Sequence, residues 1–391
     1  MRSIRVSVLF ALTFFVASCS KGSGDDGGGG ITPPPIDPPA EVTAVPELDA
    51  AVSSFMTKYN VPGLSLAVTR NGKLIYVKGY GKADQEANVA VSANSLFRVA
   101  SVSKPITSVA ILKLIEEGKL KLDDKIFGAG ALLGTEYGTQ PYSANLQAIT
   151  LKHLLNHTSG AWKNDANDPM FSNPALSAKD LITWTLNNRP VNTTPGTVYG
   201  YSNFGYCVLG RIIEKISGKS YEEYVKTAVL QPSGITTMSI AGNTKADKKA
   251  NEVTYYGQNS ENPYIYNISR MDAHGGWLAS ATDLAKLLVK VDGYPTKPDI
   301  LNAASIQSMT TSTPSISNYA LGWAVNSNNN WWHTGSLPGT YSEIVRASNG
   351  FNWAILINTR TNAASFDADF DNIVWTAIGN TNTKWPEKDL F

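Results

Sequence analysis

The sequence predicts a mixed α/β chain of the α+β type. An antiparallel sheet is completed by the two ends of the globular part, with flanking helices and a helical region inserted between its strands. Three observations carry this expectation. Near the start, two β-rich runs, 64–69 and 74–80, are joined through Asn71-Gly72, a strong hairpin signal. Near the end, residues 321–325, 341–347 and 353–358 read as three strands close together in sequence. Between them lie helical stretches, notably 178–187 and 207–216.

In chain order, residues 1–18 form a leader. Arg2 and Arg5 precede an apolar run, 6–17, too short to cross a bilayer as a helix, which needs about 20 residues. It suits the apolar region of a signal peptide. Val16-Ala17-Ser18-Cys19 resembles a bacterial lipoprotein cleavage box. That makes Cys19 the lipidated N-terminus, a membrane the partner through this anchor, and the cell envelope (outer membrane or periplasm-facing) the expected location. An ordinary secretory signal with an accidental cysteine is the alternative. Residues 19–46 read as a tether, with four consecutive glycines at 27–30 and five prolines within 32–39. Such a stretch is costly to order and too poor in apolar groups to pack.

Residues 47–391 read as one continuous globular unit. Residues 47–59 have helical spacing, with Leu48, Val52, Phe55 and Met56 on one face. Residues 106–115 are apolar on nearly every side, which predicts a buried helix, stopped at Gly118. Residues 282–291 begin the return to the sheet, and a last helix spans 365–378. The 33 Lys+Arg against 32 Asp+Glu give a formal net charge of +1, without the basic footprint expected of a nucleic-acid partner. The 9 Trp, 17 Tyr and 12 Phe supply a sizeable core. Two cysteines, Cys19 and Cys207, exclude a disulfide framework and a cysteine-based zinc site. Cys207, in an apolar run, reads as a small buried hydrophobe.

The chemistry starts at Ser101-Val102-Ser103-Lys104, at the beginning of the buried helix. Residues i and i+3 share a helix face, so Lys104 sits one turn from the Ser101 hydroxyl. Apolar surroundings destabilise an ammonium and lower its pKa, which makes the amine able to accept a proton. Free N–H groups at the helix start suit developing negative charge. Ser18-Cys19-Ser20-Lys21 has the same spacing but falls at the leader junction. Two further elements follow. Tyr201-Ser202-Asn203 precedes a helix, and His333-Thr334-Gly335 follows Trp331-Trp332 and leads into a Gly-containing turn, 336–339.

Ser-x-x-Lys, Tyr-x-Asn and Lys/His-Thr-Gly in that order resemble the serine β-lactamase and penicillin-binding-protein family. Within it, Tyr-x-Asn points to the class C branch with its D,D-peptidases, D-aminopeptidases and esterases. Val61-Pro62-Gly63-Leu64, Gly79-Tyr80-Gly81, the segment Leu154-Leu155-Asn156-His157-Thr158-Ser159-Gly160, Gly275-Gly276-Trp277 and Leu321-Gly322-Trp323 fit too, so the likeness spans roughly 47–378. It implies the β-lactamase/transpeptidase-like fold and a serine hydrolase without metal or cofactor. Ser101 becomes the acylated nucleophile. Lys104 helps take its proton and contacts Asn203. Tyr201, held nearer its phenolate by Lys104, acts as general base and later protonates the leaving group. The backbone N–H groups of Ser101 and Ser336 form the oxyanion hole, and His333, with Thr334 and Gly335, lines the cleft opposite Tyr201.

His333 stands where β-lactamases usually carry lysine. A histidine of ordinary pKa, about 6.5, is mostly neutral at pH 7 and gains charge only in acid. This favours esters and D-amino-acid peptides or amides over β-lactams as the small-molecule substrate, with any β-lactam activity rising at low pH. Bland readings stand beside these: Tyr201 as an aromatic turn residue, Asn203 as a helix cap, His333 as an edge-strand histidine, His157 and His274 as structural. The rival function is a non-catalytic lipoprotein on the same fold that binds peptidoglycan fragments or β-lactams.

Overall fold

The computed structural model describes residues 44–258 and 260–391. The leader, Cys19 and the tether through residue 43 lie outside the described residues. Helix α1 (Pro46–Tyr59) opens with proline in its first turn, where a missing N–H costs nothing, and carries Glu47 and Asp49 at its positive end. Asn60 closes it in the left-handed region at φ 51°. The domain therefore starts slightly before the expected boundary at residue 47, because Val45 is already fully buried. Leu48, Val52, Phe55 and Tyr59 form the buried face, with Met56 partly buried beside them.

The hairpin forms as expected. Strand β1 (Gly63–Arg70) turns through Asn71-Gly72 into β2 (Lys73–Asp84), followed by the two-residue strands β3 (Val89–Ala90) and β4 (Phe97–Arg98). A 3₁₀ turn, Ala100–Val102, leads into helix α2 (Ser103–Glu116). Helices α3 (Ala178–Asn188) and α4 (Asn203–Ser217) follow, then β5 (Ser239–Ile240) and β6 (Trp277–Ala279), then α5 (Ala281–Val289). The chain closes with β7 (Ala324–Val325), β8 (Trp331–Leu337), β9 (Thr340–Arg346), β10 (Phe351–Ile357) and helix α6 (Phe366–Gly379).

The main sheet has the order β3-β2-β1-β10-β9-β8-β7 and is antiparallel throughout. The ends of the domain meet at its centre, where β1 pairs with β10 in the register Leu66↔Ile355. Side chains alternate across the pleat. Leu64, Leu66 and Val68, with Trp353, Ile355 and Ile357, pack in one core with α1 and α6. Ala67, Ala354 and Leu356 belong to the opposite core, which holds α2, α4 and α5. Because both faces are covered, β1 and β10 read as near-continuous apolar runs rather than as alternating ones. A second sheet, β4-β6-β5, is small.

Two expectations need correction. Of residues 321–325, only Ala324–Val325 forms a strand. Gly322 turns the chain at φ 86°, and a Cβ there would meet the Ser108 side chain at 2.6 Å. The His-Thr-Gly segment, expected beside a loop, lies inside β8, and Ser336 belongs to that strand rather than to a turn. The actual turn is Pro338-Gly339, with Gly339 at φ 77°. This second hairpin lays β8 and β9 against the 3₁₀ turn that carries Ser101.

Candidate active site

The backbone bends sharply just before Ser101. Ala100, almost fully buried, sits at φ 46°, a left-handed conformation that costs a residue with a Cβ and persists only where packing holds it. Ser101 is therefore on the 3₁₀ turn, two residues before α2 begins, rather than on the α-helix itself. Lys104 follows at i+3 with its side chain wholly buried. Its Nζ lies 3.1 Å from Ser101 Oγ, 2.8 Å from Asn203 Oδ1 and 3.0 Å from the His274 carbonyl oxygen.

Tyr201 and Asn203 are placed by the start of α4. The Ser202 hydroxyl accepts from the Gly205 N–H at 3.0 Å, an N-cap that puts Asn203 at the first helical position. The Ser202 N–H donates to His157 Nδ1 at 3.0 Å, and the His157 ring lies 4.3 Å from that of Tyr201 and 4.6 Å from that of Tyr319. His157, structural in the expectation, thus holds the Tyr-x-Asn turn in place. The Tyr201 hydroxyl meets Ser101, and Lys104 Nζ stands 4.6 Å from the centre of the Tyr201 ring.

From the third motif, β8 brings its backbone to the nucleophile. A Cβ on Gly335 would lie 2.2 Å from the Val99 carbonyl oxygen and 3.0 Å from the Ser101 nitrogen. Only glycine admits this approach. Ser336 lines the same cleft as Ser101, so both expected oxyanion-hole residues border one space. Thr334 points elsewhere: its hydroxyl engages Tyr341, which packs with Phe366 and Phe370 of α6. Alternation along β8 imposes this, since His333, Gly335 and Leu337 are buried while Ser336 is exposed.

His333 is not a cleft residue. Its Nδ1 lies 2.6 Å from the Thr334 carbonyl, which can only accept, so Nδ1 carries the proton. Nε2 then accepts from the Tyr319 hydroxyl at 2.9 Å. Burial, reinforced by nearby Lys104, pushes its pKa down to about 3. Burial therefore favours the neutral imidazole, against the gain of charge in acid expected of an ordinary histidine. Burial also holds Lys104 well below the usual lysine range and pushes Tyr201 well above the usual phenol range, although the Ser101 contact opposes this. Burial thus favours the neutral phenol of Tyr201 over the expected phenolate. Cys207 is buried and inert, its thiol pushed up to about 12 by desolvation.

The cleft measures about 190 Å³ and is lined by Ser101, Asn164, Asn203, His274, Ser336 and Arg360, with Phe171 and Tyr266 as an aromatic wall. Four contributors carry no motif of their own in the sequence. The His274 carbonyl completes the lysine site. Tyr319 fixes His333. Asp168 accepts from Asn203 Nδ2 at 2.9 Å. Arg360 donates to Ser336 Oγ at 3.1 Å and is gripped by both Glu261 carboxylate oxygens. The only local signal was Asp168-Pro169, a helix-start pattern that says nothing of a partner 35 residues away. No group of His, Cys, Asp and Glu able to hold a metal occurs among the described residues.

A model of the Beta-lactamase family matches residues 48–377. The chain belongs to that family. Among its relatives, the putative penicillin-binding protein PbpX of Bacillus subtilis (strain 168) is 31% identical over 339 residues, 85% of this chain and 76% of that one. Protein flp of Staphylococcus aureus (strain MRSA252) is 26% identical over 325 residues, 81% of this chain. This chain spans 63% of the length of Protein flp. The octameric penicillin-binding protein homologue from Pyrococcus abyssi superposes with a TM-score of 0.68 at 25% identity, over 86% of this chain and 78% of that one. The D-amino acid amidase from Ochrobactrum anthropi SV3 superposes with a TM-score of 0.70 at 22% identity, over 86% and 99%. The fold is thus the β-lactamase and penicillin-binding-protein fold of this serine-hydrolase-type family, as the motifs implied.

Acid sensitivity follows from the buried imidazoles of this family member. His157, His274 and His333 are all held below the ordinary histidine range by burial. A depressed folded pKa means that the unfolded chain binds protons first, so this stability is complete above about pH 6.5 and is lost as the pH falls. Each such histidine contributes a slope of about 1.4 kcal/mol per pH unit between the two pKa values. Denaturant unfolding at pH 7.5, 6 and 5 should show a shallower acid loss for His333→Gln than for wild type. Parallel curves would mean that folding leaves the His333 pKa unshifted.

Proposed function

We propose that the protein is a serine hydrolase that forms an acyl-enzyme on Ser101 and acts on small esters and D-amino-acid amides or peptides. The observation that carries this reading is the hydrogen bonding of Lys104. Two of the three atoms around Nζ, Asn203 Oδ1 and the His274 carbonyl, can only accept. In the neutral amine that burial favours, both N–H groups point to those oxygens and the lone pair faces the Ser101 hydroxyl. Lys104 is then the base. As Ser101 Oγ bonds to the substrate carbonyl carbon, its proton passes to Nζ and the carbonyl oxygen becomes an oxyanion facing the Ser101 and Ser336 N–H groups. Tyr201 gives its phenolic proton to the departing alkoxide or amine and regains one from Lys104. Water reverses the sequence and releases the acid.

The cleft also bears on substrate choice. The neutral, enclosed His333 offers no cation to a β-lactam carboxylate, and the charge of Arg360 is already met by Glu261. A charge-assisted hydrogen bond is worth about 1.5–3 kcal/mol, or about 10- to 150-fold in kcat/KM, so cephalosporins should be poor substrates. The aromatic wall of Phe171 and Tyr266 suits an apolar acyl or side-chain group. That a D-amino acid amidase shares this fold supports trying D-amino-acid amides first.

Exposure to a fluorophosphonate, a penicillin and a p-nitrophenyl ester, read by intact-protein mass spectrometry, tests the nucleophile. Wild type should take the label on Ser101, Ser101→Ala should take none, and p-nitrophenyl esters should turn over faster than cephalosporins. A label on Ser103 or Ser202, or no adduct at all, would overturn the reading, the latter in favour of a binding protein.

Lys104 and Tyr201 should behave as one unit. Lys104→Ala and Tyr201→Phe should each lower ester turnover by at least about 10², with the double variant little worse than the poorer single. Losses that multiply would show two independent roles.

The leader and tether support a further part of this reading: a chain lipidated at Cys19 and held at the bacterial cell envelope, its hydrolase domain spaced from the membrane. In the native host, wild type should partition with membranes and Cys19→Ala should be released. Wild type already soluble without detergent would refute the anchor.

A further inference from the structure

We propose that Asp168 is a positioning residue for the proton-transfer unit: through the Asn203 amide, its carboxylate fixes the oxygen that holds Lys104 and supplies the negative charge against which Lys104 takes up the serine proton. This rests on the reading of Ser101 and Lys104 given above. Asp168 is 1% exposed. One of its oxygens accepts from the Met170 N–H at 2.8 Å and the other from Asn203 Nδ2 at 2.9 Å, while Asn203 Oδ1 faces Lys104 Nζ at 2.8 Å. The line Ser101–Lys104–Asn203–Asp168 thus joins the nucleophile's turn, the start of α4 and the short helix Pro169–Ser172.

The direction of the Asn203 amide follows from this chain. Turned over, Nδ2 would face the N–H groups of Lys104 and Oδ1 would face a carboxylate, leaving two pairs of like groups in contact. Burial raises the Asp168 carboxyl above its usual range, but both of its oxygens accept from N–H donors, so as a carboxylate it forces the orientation that Lys104 needs. Capping the Pro169–Ser172 helix does not account for it. A cap uses one oxygen and is served equally by serine or asparagine, whereas here a second carboxylate oxygen is buried and aimed at the catalytic amide.

The charge matters because, among the described residues, Asp168 is the anion whose charge acts on Lys104. Around Lys104 are the rings of Tyr201 at 4.6 Å and Tyr206 at 5.7 Å and the His274 carbonyl, and its charge acts on the imidazoles of His157, His274 and His333. Asp168 is the carboxylate whose field favours the protonated amine. Asp165 is a like charge acting on Asp168. When Lys104 accepts the Ser101 proton, its new positive charge is met by Asp168 across the Asn203 amide.

Asp168→Asn and Asp168→Ser separate this role from capping. Asn keeps a cap and an acceptor for Asn203 but removes the charge; Ser keeps the cap and cannot reach Asn203. With a p-nitrophenyl ester over pH 5–10, Asp168→Asn should move the limb of the kcat/KM profile that belongs to Lys104 to lower pH by about one unit. Its maximal kcat should fall about tenfold, with KM little changed. Asp168→Ser should lose about 10²-fold in kcat, because Asn203 is no longer held. An unmoved profile in Asp168→Asn, or full activity in Asp168→Ser, would overturn the proposal, and far-ultraviolet circular dichroism checks that each variant is folded. If Asp168→Asn does not fold, Asp168→Ser alone decides by its kcat. Fluorophosphonate labelling of wild type keeps the two readings apart. An unlabelled wild type removes the serine mechanism itself, whereas a labelled wild type with an unmoved Asp168→Asn profile removes only the role of Asp168.

Discussion

A lysine side chain with no exposed surface is expensive to keep, because burial strips an ammonium of water and leaves even a neutral amine in need of partners. Lys104 is tolerated because three oxygens converge on it, from Ser101 one turn before it, from Asn203 at the start of a helix 99 residues later and from the His274 carbonyl 170 residues on. None of these reaches Nζ unless the sheet, α2 and α4 are already in place. The tertiary structure is therefore the source of the low lysine pKa on which the proposed chemistry depends. The same enclosure that disfavours charge in the folded protein is what makes the amine a base.

The scaffold that holds this arrangement is the pairing of β1 with β10 at the centre of the sheet. Buried on both faces, those strands fix β9 and then β8, whose backbone presses on the turn at 99–101. Strain and incomplete satisfaction collect around that turn. Ala100 is left-handed, and His157 Nε2 and His274 Nε2 are buried without a hydrogen-bond partner among the described residues. Such features cost stability and persist at sites where the surrounding packing over-determines the geometry.

Electrostatics separate this site from one built around a permanent cation in the third motif. His333 is spent internally, on the Thr334 carbonyl and the Tyr319 hydroxyl, and braces the aromatic cluster behind Tyr201. The cation that does reach the cleft, Arg360, arrives from just beyond β10 already paired with Glu261. Bound on two sides, it is held in one orientation, and its contribution to a substrate is directional hydrogen bonding rather than net charge. Asp168, by contrast, is enclosed and hydrogen-bonded to the Asn203 amide.

Much of this architecture was legible in the sequence because it is written in local terms. Asn71-Gly72 specifies a tight hairpin by its backbone preferences, the all-round apolar stretch 106–115 can only be a buried helix, and Ser101, Lys104, Tyr201 and Asn203 stand at spacings fixed by one helical turn or one cap. Other features depended on contacts between segments far apart in the chain. The strand character of residues 331–337 comes from pairing with 340–346, which no periodicity in those residues announces. The inward face of His333 and the outward face of Thr334 follow from that register. Asp168, Tyr319, His274 and Arg360 are ordinary residues in their own neighbourhoods and become site residues only through partners brought to them by the fold. The sequence by itself determined which groups could do chemistry. Only the tertiary structure decided their protonation, because burial and the convergence of distant acceptors, not residue type, set whether Lys104, Tyr201 and His333 are charged.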